Sequence, residues 1–419
     1  MTAVILLVLV IVLLALRQNV ILILITAAAY AHLFWGDGDL TYLVDDIWTS
    51  INRDVLLAIP MFILAGNIMT RGSIAERLIA ILRALTQWLP GGLAVATILS
   101  CAVFAAISGS SPVTLLAVGT ILYPALLEEG YGKKFSLGAL ASGGTLGVVI
   151  PPSIPMILYA IVTEKSISDL FLAGLIPGLM LAGVLSIYAL IVNRKIASKP
   201  FSFNETAAAF RRGIFALMTP VILLGGIYSG LFSATEAAAV AVGYALLVEV
   251  FVHREIRLVD FYAIAVDTAR LLGTLFPIIA VAISINLLLT AEQVPQSFAA
   301  WMTGVVDNKF AFLIALNIVL LIVGCLIDIG SAILMLAPIL LPVAMAYGID
   351  PIHFGVIMVV NLEIGFITPP VGLNLIVAMT AFKEDFLLIC RAVLPFIGLM
   401  LAVLALVVFV PELSLGLLR

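Results

Sequence analysis

A hexapeptide inside a long apolar run sets the first constraint on this chain. Gly147-Val148-Val149-Ile150-Pro151-Pro152 recurs as Gly365-Phe366-Ile367-Thr368-Pro369-Pro370, 218 positions later. At the same offset Pro124 matches Pro342, Gly130 matches Gly348, and Ile121-Leu122 matches Ile339-Leu340. One repeated Pro-Pro would carry little weight, but several punctuating residues at a single offset mark a duplicated unit. Proline has no N–H, so in a helix Pro151 and Pro152 would strip the carbonyls of Gly147 and Val148 of their partners. The second pair would do the same to Gly365 and Phe366. The residue before each proline is pushed toward an extended backbone. At membrane depth bare carbonyls persist only where protein, water or an ion satisfies them. Broken helices in corresponding places of two halves point to a transporter's binding site.

Membrane depth follows from composition. Of 419 residues, 64% are hydrophobic and 11% charged, with a mean hydropathy of +1.28. The expected class is an all-α polytopic membrane protein. The opening run, 4–16, lacks a basic n-region and a small-residue cleavage site, so it is expected to be a retained span. The net charge of −4 is confined to loops and says little about partners. Cys101, Cys325 and Cys390 are isolated in apolar surroundings and read as packing residues rather than a disulfide or metal framework. No soluble domain and no basic-aromatic nucleic-acid patch is visible.

In chain order, apolar runs at 3–16 and 20–35 are split by Arg17-Gln18-Asn19. Segment 36–54 carries Asp37, Asp39, Asp45, Asp46 and Asp54 against Arg53, and 55–70 is a third span. In 71–89, Arg71, Glu76, Arg77 and Arg83 alternate with Ile74, Leu78, Ile81, Leu82 and Leu85. That pattern predicts an amphipathic helix at the interface. Its counterpart, 291–308, is weaker and broken by Pro295. Residues 91–127 are two apolar arms around Ser108-Gly109-Ser110-Ser111-Pro112, which predicts a re-entrant hairpin or, as the alternative, two ordinary spans joined by a surface turn, and 136–162 holds the first broken helix. After a span at 170–192, segment 193–212 carries Arg194, Lys195, Lys199, Arg211 and Arg212 against Glu205. By the positive-inside rule this segment, Arg17 and Lys133-Lys134 are cytoplasmic, and acidic 36–54 is outside. Spans at 214–232, 235–252 and 261–290 follow, the second opening on Ser233-Ala234-Thr235-Glu236 as a helix cap. A second hairpin, 311–347, has Asp328-Ile329-Gly330-Ser331 at its tip. A second broken helix, 354–382, and a last span, 386–410, close the chain. The expected organisation is a first repeat, 1–192, a cytoplasmic linker, 193–212, and a second repeat, 213–419.

Ser108-Gly109-Ser110-Ser111-Pro112-Val113-Thr114, Gly147 to Ser153, Thr235-Glu236-Ala237-Ala238 and Gly365 to Gly372 together resemble the large membrane subunit of the tripartite ATP-independent periplasmic (TRAP) transporters. The resemblance covers nearly the whole chain. It implies an elevator-type transporter of two inverted repeats, located in the bacterial inner membrane and coupled to Na+, with no organic cofactor. It also implies two partners, a small membrane subunit and a periplasmic substrate-binding protein. The cargo would be a small organic acid such as a C4-dicarboxylate. Because the chain opens on its first span, the small subunit is expected to be a separate protein. The alternative is a self-sufficient Na+- or H+-coupled carboxylate carrier of the same superfamily. An enzyme fits poorly. Gly109-Ser110-Ser111-Pro112-Val113 lacks the second glycine of a nucleophile elbow, and neither a P-loop nor an H-E-x-x-H motif occurs.

The site residues are weighed group by group. Ser108, Ser111 and Thr114 would be hydroxyl ligands; such residues also serve ordinary helix packing, and clustering with Gly109 and Pro112 favours ligation. Gly147, Ile150 and Pro152 would act by backbone carbonyl. Hard oxygen donors suit Na+ rather than a transition metal. Half-helix C-termini carry partial negative charge and unpaired carbonyls, so two Na+ sites are expected. One would use Ser108, Ser111, Gly147, Ile150 and Pro152, the other Gly324, Gly365, Thr368 and Val371. The substrate anion would sit between the tips, near Gly109, Ser110, Pro112, Thr114, Asp328, Gly330 and Asn374. Asp328 stands where the first repeat has Ser110, and a lone intramembrane carboxylate reads as functional. Glu363 replaces Thr145 of the first repeat, and it and Asn361 are weaker candidates.

Overall fold

The computed structural model describes residues 2–16, 18–35 and 38–418; Arg17 and Asp37, used above to orient the first spans, lie outside them. Among the described residues there is no β-strand, and ten helices are long and apolar enough to cross a membrane. The chain is a multi-pass membrane protein, as its composition leads one to expect.

Two groups of helices pack within themselves. One is built from Val20–Phe34, Thr41–Ile51, Ala58–Arg71, Phe203–Tyr228, Ala234–Leu246 and Leu258–Ala291. The other collects both hairpins, both broken helices, Ile167–Val192 and Phe386–Phe409. The first hairpin has arms Gly92–Ser108 and Ser111–Glu128, and both lie on Lys133–Val149, the first half of the first broken helix. The second hairpin, Lys309–Leu326 and Ile329–Ala346, lies on Pro351–Phe366 in the same way. The repeats also interlock: Ile329–Ala346 packs on Ile154–Thr163, and Leu373–Phe382 packs on Ser111–Glu128. Each hairpin thus touches the second half of the other repeat's broken helix. Lys133–Val149 and Pro351–Phe366 are among the most enclosed helices, with every residue from Ser136 to Val149 and from His353 to Phe366 buried. In Lys133–Val149 glycines, alanines and small hydroxyls permit that density, because Gly138 and Gly144 already face neighbours where a Cβ would collide.

Short amphipathic helices join the groups. Ile74–Thr86 buries Ile74, Leu78 and Ile81 and turns Arg77 and Arg83 outward, as its 3.6-residue period dictates. It lies against the basic segment: Arg77 Nη1 donates to the Arg212 carbonyl at 3.1 Å, Arg83 pairs with Glu129 at 2.5 Å, and the Lys199 N–H donates to the Gln87 carbonyl at 2.9 Å. The counterpart is Val294–Val305, and Pro295 does not break it. Pro295 sits in its first turn, where no intrahelical N–H is needed.

Other boundaries differ from the expectation. The acidic segment is not a plain loop, because Thr41–Ile51 is a helix that buries Leu43 and Ser50 against Leu258–Ala291. The basic linker ends early: Ser202 caps a helix that begins at Phe203, so Arg211 and Arg212 are helical. The span 261–290 is one 34-residue helix, Leu258–Ala291. Glu236 forms a capping box with Ser233, the structural first-turn role that its position suggests.

Candidate functional site

At the first tip the chain turns through Gly109, whose φ of +59° is left-handed and suits glycine. Ser108 Oγ and Thr114 Oγ1 are 2.7 Å apart, and Ser108 Oγ donates to the Ser110 carbonyl at 3.3 Å. Ser111 is fully buried, and its hydroxyl has no hydrogen-bond partner among the described residues. The broken helix comes to this tip as bare backbone. The Ile154 N–H donates to the Gly109 carbonyl at 3.3 Å. A Cβ on Gly109 would stand 2.8 Å from the Pro152 carbonyl oxygen. One on Gly147 would stand 2.7 Å from both the Ser110 oxygen and Thr114 Oγ1. The helix ends at Val149, and the Ile150 N–H is its last donor, to the Leu146 carbonyl at 3.0 Å. Both Pro-Pro peptides are cis. Ser108, Ser111, Thr114, Gly147 and Pro152 therefore converge, in a cluster rich in oxygen that no side-chain cation among the described residues enters. The Ile150 side chain packs on Gly178, its Cγ1 2.7 Å from where a Cβ there would be.

The second repeat differs in detail. Gly324 and Gly365 bring two backbones together: a Cβ on Gly365 would lie 2.6 Å from the Gly324 carbonyl carbon, and one on Gly324 would lie 2.8 Å from the Leu362 oxygen. The Gly372 N–H donates to the Cys325 carbonyl at 3.1 Å. The Gly365 carbonyl is not bare as expected: it accepts the Thr368 N–H at 2.8 Å, because the helix tightens into a last i→i+3 turn before the prolines. The Thr368 hydroxyl donates to the Ile364 carbonyl at 2.7 Å, which leaves its lone pairs for an outside partner. Thr368 and Val371 are half-buried, so this cluster is more open than the first.

The two tips share a cavity of about 230 Å³. Residues 108–113 line one side and Asp328, Ile329 and Gly330 the other. Asp328 caps Ile329–Ala346, its Oδ1 accepting the Ser331 N–H at 2.9 Å. The broken helices add Val148, Ile154, Pro155, Leu158 and Phe366, and the other helix group closes the wall with four residues, Ile63, Gly66, Leu271 and Leu275. Gly66 lets the wall approach, since a Cβ there would sit 3.3 Å from the Ser108 Cα. None of these four was singled out by the sequence, because an apolar residue on a span carries no signal for which face meets a cavity.

Three expected participants lie elsewhere: Thr114 does not line the cavity and faces Ser108 in the oxygen cluster, and the other two are Asn374 and Glu363. Asn374 does not line the cavity; it is fully buried, and its Nδ2 donates to the Ala141 carbonyl at 3.2 Å, tying the second broken helix to the first. Glu363 is fully buried in the same crossing, where Thr145 is its polar neighbour. Asn361 bonds back to Asn317 at 2.7 Å. A buried acid that the sequence reading passed over is Glu249. It sits on a π-helical stretch, Leu247–Val252, and accepts the Ile74 N–H at 2.8 Å, anchoring the start of Ile74–Thr86. The rule that singled out Asp328, a lone carboxylate in an apolar run, applies to it equally.

The family profile described as "Tripartite ATP-independent periplasmic transporter, DctM component" matches residues 7–413. The C4-dicarboxylate TRAP transporter large permease protein DctM of Pseudomonas aeruginosa is 43% identical over 93% of this chain and 92% of its own length. The isethionate TRAP transporter permease protein DctMQ of Oleidesulfovibrio alaskensis is 41% identical over 90% of this chain and 60% of its own length. Among solved structures, the YdaH transporter of Alcanivorax borkumensis shares the fold. Its TM-score is 0.65, with 14% identity over 92% of this chain and 91% of that one. The protein thus belongs to the DctM component family of the tripartite ATP-independent periplasmic transporters.

Proposed function

We propose that this chain is the large permease subunit of a Na+-coupled importer of a small organic acid, a C4-dicarboxylate or a related carboxylate. A periplasmic binding protein delivers the acid, and a small membrane subunit completes the transporter. The observation that carries the reading is the cavity between the two hairpin tips, with the fully buried, unpartnered Ser111 hydroxyl on its wall. A buried hydroxyl without a partner is costly unless a ligand completes it. No Lys, Arg or His lines this cavity, so backbone amides at the tips and bound cations would attract the anion. The oxygen cluster of Ser108, Ser111, Gly147, Ile150 and Pro152 fits Na+, and Gly324, Gly365, Thr368 and Val371 form the second, more open cluster. Since Gly365 O is engaged by Thr368, the second site leans on the Thr368 hydroxyl and the carbonyls after it.

The cavity wall is made by both helix groups, so motion of one against the other would open it to one side and then the other. That is the physical content of an elevator built on two repeats, 1–192 and 213–419. Reconstitution tests the reading. Proteoliposomes holding both membrane subunits should take up labelled acid only with binding protein added and an inward Na+ gradient. Uptake at full rate without binding protein would replace it with a self-sufficient carrier.

A further inference from the structure

Among the residues lining the tip cavity, Asp328 is the one ionisable side chain. Its geometry is fixed. Oδ1 accepts the Ser331 N–H at 2.9 Å and lies 3.2 Å from where a Gly330 Cβ would stand. No donor among the described residues reaches its second oxygen. Its counterpart in the duplicated sequence is Ser110, across the cavity. A hydroxyl both donates and accepts, whereas an ionised carboxylate only accepts. The exchange of Ser for Asp therefore makes the side chain at one tip accept-only, while the Ser111 hydroxyl facing the same space is free to donate. At about 230 Å³ the space suits a metabolite rather than a drug-sized ligand, which needs ~300–1,000 Å³.

We propose that Asp328 is a specificity-determining residue, which selects small acids that carry a hydrogen-bond donor, a hydroxyl or an ammonium, beside the carboxylate. The proposal rests on the reading of the cavity as the substrate site. Asp328 is half-buried, and a substrate that fills the cavity closes its free oxygen off from water; an analogue that lacks the donor then leaves that acceptor unpaired. A bare carboxylate in that place meets repulsion as well.

Succinate, malate and aspartate share one four-carbon skeleton and differ at the second carbon, which carries hydrogen, hydroxyl or ammonium. Their binding to the full-length permease, purified with its small subunit in Na+, is read from the rise in melting temperature with ligand concentration. Malate or aspartate is expected to half-saturate at least about tenfold below succinate. Asp328→Asn keeps the helix cap, and Asp328→Ser installs the first repeat's residue. Both are expected to bring the three acids within about twofold of one another. Equal binding of all three to the unmodified protein, or a preference that survives both substitutions, overturns the assignment while leaving the cavity reading intact. If no acid stabilises the protein in Na+, the cavity reading falls and the assignment with it.

Discussion

Ser111 and Thr368 test the cation clusters one hydroxyl at a time. Ser111 is buried with its Oγ unpartnered, and Thr368 already gives its proton to the Ile364 carbonyl, so both present lone pairs. Ser111→Ala and Thr368→Ala are each expected to raise the Na+ concentration for half-maximal uptake about five- to tenfold, as loss of one such oxygen implies, with expression unchanged. An unaltered Na+ dependence in both would remove these residues from the sites. The glycines make a different test. Gly365→Ala would place a Cβ 2.6 Å from the Gly324 carbonyl carbon, and backbone cannot yield as a flexible side chain does. A loss of about 1–3 kcal/mol is expected from that overpacking, seen as a lower melting temperature. At this scale the sequence was legible where chemistry is local. The small hydroxyls at one tip, the lone Asp328 and the Pro-Pro pairs can each be read without neighbours. Asn374 could not, because its partner, the Ala141 carbonyl, is 233 positions away and leaves no mark on the surrounding sequence. The Gly365 carbonyl misled for a related reason: proline removes one donor, but a tighter turn can supply another.

At the scale of elements, the helix Ile74–Thr86 is held at its start by a joint of titratable groups. Ile74 N–H bonds Glu249, His253 Nδ1 lies 3.1 Å from Ser73 Oγ, and Arg77 Nε donates to the same Ser73 oxygen at 2.9 Å. His253 follows directly on the span Ala234–Val252. Burial first, and then Arg77, hold its imidazole below the usual value, against the pull of Glu249 and Glu255. A histidine that binds its proton less readily when folded contributes stability above its unfolded value, about pH 6.5, and loses it as the pH falls below that. The melting temperature should therefore drop between pH 7.5 and 5.5, with a smaller drop in His253→Asn. An identical drop in that variant would assign the acid sensitivity to other groups. The joint was not legible beforehand, since Glu249 and His253 reach it by way of a π-helical stretch, which shifts side chains off the α-helical register. The amphipathic helix itself was, because its stripe of Ile and Leu against Arg and Glu is a property of the period alone.

For the whole molecule the repeat was legible from its punctuation, and the packing was not. A 218-residue offset predicts two similar halves, but nothing in it says that each hairpin lies on the other half's broken helix, or that Ile63, Gly66, Leu271 and Leu275 wall the cavity. Orientation remains readable from charge. Basic 193–212 lies beside Arg77 and Gln87, and Lys/Arg bias would put that face in the cytoplasm and acidic 36–54 outside. With Cys101, Cys325 and Cys390 replaced, a cysteine at Asp39 should react with an impermeant reagent from outside and one at Ser198 should not; the reverse pattern would invert the molecule. The central claim is that paired oxygen clusters, one per repeat, couple Na+ to the movement of an organic acid. Uptake into proteoliposomes holding the complete transporter, followed against Na+ concentration with choline as replacement at fixed pH, tests it most directly. The account predicts no uptake in choline and a sigmoidal rise with Na+, with a Hill coefficient above one. Equal uptake in choline, driven by a proton gradient alone, would contradict it.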